Sequence, residues 1–153
     1  HFAAALRKTA GETGEISAEQ GEKLPKQWDN FARELGIRLP AGKAVRFGQS
    51  LFWAPEELPD IHRLKVLRPG LELGTVKKDR FEPAHALALW LKSCANVQDY
   101  GENSDEIKAY LHGDVVPSGA KGWCLVRAGG YSIGWGKGDG RVLKNHYPKG
   151  LRR

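Results

Sequence analysis

The last ten residues, Lys144-Asn145-His146-Tyr147-Pro148-Lys149-Gly150-Leu151-Arg152-Arg153, bring three kinds of chemistry into one short run. Lysine and arginine answer phosphate oxygens, the planar rings of His146 and Tyr147 answer bases or riboses, and the Asn145 amide answers a base edge. Lys137 and Arg141 lie just upstream. The candidate set is therefore Lys137, Arg141, Lys144, Lys149, Arg152 and Arg153 for phosphates, with Asn145, His146 and Tyr147 for stacking or edge contacts. This chemistry suits RNA better than a membrane surface, which would require an amphipathic helix that Pro148 and Gly150 forbid.

The charge distribution points the same way. The chain carries 24 Lys and Arg against 18 Asp and Glu, a net charge of +6. Eight of those cations but only Asp114 and Asp139 fall after residue 113, so the whole excess sits in the final forty residues. Charge segregated like this marks a polyanion-binding end. A tail that served only solubility would lack the interleaved Trp123, Tyr131, Trp135, His146 and Tyr147.

Other chemistries find little support. Gly134-Trp135-Gly136-Lys137-Gly138-Asp139-Gly140 invites a phosphate-loop reading, but no Gly-x-x-x-x-Gly-Lys-Ser/Thr is present and no helix follows. The glycines read better as a strand that neighbours approach closely. His62, His85, His112 and His146 stand in unrelated contexts, with His85 on an apolar helix as a partly buried, hydrogen-bonded residue. Cys94 and Cys124 lie thirty positions apart without a Cys-x-x-Cys, which argues against zinc and for reduced thiols in a cytoplasmic protein, although one disulfide stays open. No catalytic, cofactor-binding or metal-ligating residue is assigned, and no apolar run of about 18 residues offers a membrane span.

These residues need elements to hold them. A chain of 153 residues suits one medium domain or two small ones. It has no Met, and it opens on an apolar run with basic residues behind it, the reverse of a signal peptide, so it is expected to begin inside a longer polypeptide. Residues 1–8 read as one buried strand and the polar residues 9–24 as a linker. Trp28, Phe31, Ala32 and Leu35 predict an amphipathic helix over 25–35, ended near Gly36. Strands are predicted at 43–47, 50–54, 63–67 and 71–77, which makes 25–78 a small α+β module. A second helix is predicted from Glu82-Pro83 to about Lys92, and a third from Ser104 to Gly113. The Gly129-Gly130 pair predicts a hairpin of 123–127 with 131–135, and Asp139-Gly140 a second turn into 141–144. The fold class is α+β, the last part being a small, partly open β-barrel with two helices.

Four segments in order, Arg80-Phe81-Glu82-Pro83-Ala84-His85-Ala86-Leu87-Ala88-Leu89, Tyr110-Leu111-His112-Gly113, Gly134-Trp135-Gly136-Lys137 and 144–152, resemble the C-terminal region of bacterial NOL/NOP/Sun-type RNA cytosine-5 methyltransferases of the ribosomal RNA methyltransferase F group. The resemblance implies that residues 1–8 end a methyltransferase domain lying outside this chain and that 79–153 form a PUA-like RNA-binding domain. It implies a parent enzyme that uses S-adenosylmethionine, with structured ribosomal RNA and the enzyme's own catalytic domain as partners. The contexts Ser93-Cys94 and Trp123-Cys124 do not match the family's Pro-Cys and Thr-Cys, so no catalytic role carries over to either thiol. Two functions stay open from this reading. One is RNA binding that positions a cytosine; the other is a protein-interaction domain whose basic end packs on the catalytic domain or a ribosomal protein.

Overall fold

A computed structural model describes residues 21–61 and 64–153. The readings for residues 1–8 and 9–20 fall outside them. Pro25 precedes helix α1 (Lys26–Leu35), which buries Trp28, Phe31 and Leu35 and stops where Gly36 turns left-handed at φ 65°. Strands β1 (Lys43–Phe47) and β2 (Ser50–Ala54) form the expected hairpin, and β3 (Leu71–Val76) and β4 (Phe81–Pro83) extend it into an antiparallel sheet of order β1-β2-β3-β4. Ahead of β1, the Glu22 N–H donates to the Ala44 carbonyl at 2.9 Å and Leu24 packs on the core.

Two expectations are corrected here. Residues 64–67 form no strand, and β2 pairs directly with β3 instead. Pro83 does not open a helix: it lies opposite Gly74 at the end of β4, and the Ala84 N–H donates to the Leu73 carbonyl, so helix α2 (His85–Trp90) begins only after that pairing ends. Pro83 suits this edge position because it has no N–H to leave unpaired.

The second sheet has the order β5-β7-β8-β9-β6, from β5 (Val97–Tyr100), β6 (Val116–Pro117), β7 (Lys121–Ala128), β8 (Tyr131–Asp139) and β9 (Val142–Asn145), and it curls into a partly open barrel. Its pairings are antiparallel except β5 with β7. Helix α3 (Asp105–His112) closes one face; the Ser104 hydroxyl caps it by accepting from the Ile107 N–H, and Gly113 ends it. The β7–β8 turn uses Gly129 and Gly130 at φ 55° and 90°, the positive angles a two-residue hairpin demands.

Alternation along β8 sorts its residues. Gly134, Gly136 and Gly138 face α3 and the strand neighbours, where an added Cβ would meet the Tyr110 hydroxyl, the Leu143 side chain and the Ala120 carbonyl respectively. The glycine run is therefore a close-packing device, as its sequence context suggests. Trp135 and Lys137 point to the opposite face. There Trp135 joins Leu125, the α1 residues Trp28, Phe31 and Leu35, and Leu73 and Phe81 of the first sheet in one core. Its indole N–H donates to the Ala84 carbonyl at 3.0 Å, and its ring meets Phe31 edge-on at 5.7 Å. A second core under α3 holds Ile107, Tyr110, Cys124, Val126 and Leu143.

Candidate nucleic-acid interface

Beyond Trp135 the same face of the second sheet leaves the core and becomes exposed. Trp123 on β7 lies opposite Lys137 on β8, and Lys137 lies opposite Lys144 on β9, so the three side chains form one row across three strands. The Lys137 ammonium stands 5.6 Å from the Trp123 ring centroid. His146, one residue beyond β9, brings its ring within 4.5 Å of the same indole at an interplanar angle of 66°. Burial and then the Lys137 charge hold His146 below its ordinary value of 6.5, against a smaller opposing pull from Glu82. At neutral pH its imidazole is uncharged and offers one donor and one acceptor.

Two lysines directly opposite on neighbouring strands repel each other. Among the described residues neither forms an ion pair, although the Lys144 charge adds to what holds the Asp139 carboxyl low. Asp139 accepts the Arg141 and Val142 N–H groups, both at 3.0 Å, and these bonds keep its carboxyl below the usual range. Asp114 accepts from His112 at 2.9 Å. Arg141 projects from the β8–β9 turn, exposed.

Other members of the predicted set build the chain end. The Asn145 amide donates to the Tyr110 carbonyl at 2.7 Å and the Asp114 carbonyl at 3.0 Å, while its oxygen accepts the Tyr147 N–H at 2.8 Å. Tyr147 is half-buried, with its ring 5.5 Å from both Tyr110 and His85. Arg152 reaches over Gly113 and donates to the Tyr147 carbonyl at 3.3 Å. The Arg153 N–H donates to the Leu111 carbonyl. Lys149 opens a short 3-10 turn (Lys149–Leu151), and the Lys149 and Arg153 side chains are exposed.

The structure thus brings Lys137 and His146 against an indole absent from the predicted set, with Lys144 next in the row. Counting back from the Gly129-Gly130 turn pairs Trp123 with Gly136; a bulge between Val126 and Arg127 shifts the register by one and brings Lys137 opposite Trp123. Beyond the tryptophan, Gln27, Asn30 and Glu34 of α1 and Asp79 and Arg80 of the β3–β4 turn line a cleft of about 190 Å³ with it. Burial pushes the Cys94 thiol up and the Cys124 thiol up to about 11, so both are protonated at neutral pH, and both are free of disulfides. Among the described residues no group of three or more His, Cys, Asp or Glu could hold a metal ion, and no helix is long and apolar enough to cross a membrane.

Comparison with known proteins agrees with this architecture. The RsmF rRNA methyltransferase first C-terminal domain model matches residues 30–91, and the methyltransferase RsmF PUA domain model matches residues 99–153. The ribosomal RNA small subunit methyltransferase F of Vibrio parahaemolyticus is 28% identical over 147 residues, an alignment covering 90% of this chain and 30% of that protein. Its counterpart in Vibrio atlanticus is 29% identical over 168 residues, covering 99% and 35%. The chain spans about a third of the length of these relatives. With two successive domain models matched in order and relatives aligned along nine-tenths or more of its length, the chain belongs to the RsmF ribosomal RNA methyltransferase family and corresponds to its first C-terminal and PUA domains.

Proposed function

We propose that this chain is the RNA-binding region of an S-adenosylmethionine-dependent ribosomal RNA cytosine-5 methyltransferase, holding structured RNA so that a catalytic domain reaches its cytosine. Residues 79–153 act as the RNA-binding domain and 25–78 as the module that buttresses it, in the cytoplasm. The observation that carries this reading is the Lys137–Lys144 pair, held opposite each other without a salt bridge, with Lys137 over the Trp123 indole. Such a pair costs folding free energy in isolation and becomes favourable when a phosphate lies across it. Lys137, Arg141, Lys144, Lys149 and Arg153 then contact phosphates. His146 lies against planar groups, and Asn145, Tyr147 and Arg152 hold the C-terminal run in place.

The glycine-rich strand does not offer a nucleoside cradle, since Tyr110, Leu143 and Ala120 fill the space beside its glycines, and in this reading S-adenosylmethionine is held by the catalytic domain. The reading is tested by titrating the chain with a ribosomal RNA fragment at several salt concentrations. Neutralising four to five phosphates gives a slope of log K against log salt of roughly −3 to −5. A slope near zero, or binding only to the catalytic domain or a ribosomal protein, would favour the protein-interaction role instead.

A further inference from the structure

The cleft beside Trp123 is not explained by the phosphate-binding row. Phe31 and Phe81 form its buried floor, and Trp123 and Gln27 are half-buried at its sides. Gln27, Asn30, Phe31 and Glu34 fall three and four apart, so α1 turns one stripe towards it. At about 190 Å³ it is smaller than the roughly 300 Å³ at which drug-sized ligand pockets begin, and its aromatic lining suits a single planar ring system.

Its polar rim sets the acceptors of Gln27, Glu34 and Asp79 beside one cation, Arg80, whose Nε is held by Glu82 at 3.0 Å. Gln27 gives its amide hydrogens to the Lys77 and Lys78 carbonyls, which leaves the amide oxygen to accept. Glu34 is exposed and, like Asn30, has no hydrogen-bonding partner among the described residues. A carboxylate accepts only, and an asparagine amide both accepts and donates. The exocyclic amines of cytosine, adenine and guanine answer such a rim, whereas uracil presents carbonyl oxygens in their place. Glu34 and Asp79 also repel phosphate, and Arg80, the cation of this rim, is paired with Glu82. The backbone of a bound strand therefore belongs outside, on Lys137 and Lys144, and Trp123 is the wall shared by the cleft and that row.

We infer that the cleft between α1, the β3–β4 turn and β7 takes one unpaired, amine-bearing nucleobase from the bound RNA, stacked against Trp123 and read at its edge by Glu34 and Asn30. This rests on the RNA-binding reading above and adds base selection to it. The experiment uses the full 153-residue chain and labelled single-stranded homopolymers of cytidine, adenosine and uridine of equal length, at one low salt concentration. Cytidine and adenosine strands are expected to bind at least fivefold tighter than the uridine strand. Glu34→Gln, which adds a donor to an exposed site, should bring that ratio below twofold. Trp123→Phe, which keeps an aromatic in the core contact, should weaken all three strands severalfold, with the unfolding midpoint recording any loss of fold. Equal binding of the three strands, preference for uridine, or a ratio unchanged by Glu34→Gln overturns base selection while the RNA-binding reading stands. No binding of any strand, nor of a ribosomal RNA fragment, overturns both.

Discussion

Lys144 and Asn145 are neighbours in sequence with separate duties, because successive side chains of β9 leave opposite faces of the sheet. Lys144 stands in the exposed row, whereas Asn145 ties β9 to the end of α3 through two hydrogen bonds and accepts a third from the Tyr147 N–H. Asn145→Ala strands the Tyr110 and Asp114 carbonyls and is expected to cost about 2–3 kcal/mol of folding stability, read as a lowered urea midpoint. Lys144→Ala should change stability by less than about 0.5 kcal/mol, since it removes an exposed group and relieves repulsion from Lys137. The histidines give a pH signature. Desolvation holds both His85 and His146 below 6.5 in the fold, with Lys137 adding to the effect at His146. The unfolded chain therefore binds more protons just below 6.5, and stability that is complete above that value falls as pH drops through the window beneath it. Urea midpoints across pH 5 to 8 are expected to be flat above about 7 and to fall below about 6.5. A His146→Asn variant should lose part of that fall. Glu82, held below 4.5 first by its hydrogen bond from Lys77, adds a separate loss at lower pH.

At the scale of elements, what was legible depended on whether the cue was local. The apolar stripe of α1, the Ser104 cap and Gly113 stop of α3, and the Gly129-Gly130 turn each lie within a few residues, and each forms where the sequence indicates. β5 and β6 went unseen, because one pairs in parallel with a strand more than twenty residues away and the other is two residues long. The helix placed at Pro83 starts at His85 because β3 captures residues 81–83 first, a tertiary preference that local propensity does not encode. Half of the candidate site was legible as composition, the clustered cations and aromatics. The role of Trp123 was not, since it depends on the one-residue bulge in β7–β8. The glycine-bearing strand carries its own prediction. Gly138→Ala drives a methyl group into the Ala120 backbone carbonyl, which cannot rotate away, and is expected to cost about 1–3 kcal/mol of stability. Gly150→Ala, where nothing lies within 4 Å, should be close to neutral in the same denaturation series.

Over the whole molecule, one core runs through both family segments: Phe31, Leu35 and Leu73 from the first and Leu125 and Trp135 from the second lie in a single buried cluster. The two sheets are therefore expected to unfold together. Trp135→Ala, which removes a ring 1% exposed, should cost about 3–5 kcal/mol and lower one shared transition; two separated transitions would show independent cores. This rigidity fixes the α1 stripe relative to the lysine row, so a strand bound on one is presented to the other. The central claim, that the exposed row of the second sheet binds RNA phosphates, is tested most directly by the salt dependence of RNA affinity in the Lys137→Ala, Lys144→Ala double variant, measured beside its thermal unfolding. The account predicts a slope of log K against log salt shallower than that of the unmodified chain by roughly 2, one per lost phosphate contact, with an unchanged unfolding midpoint. An unaltered slope in a fully folded double variant would contradict it.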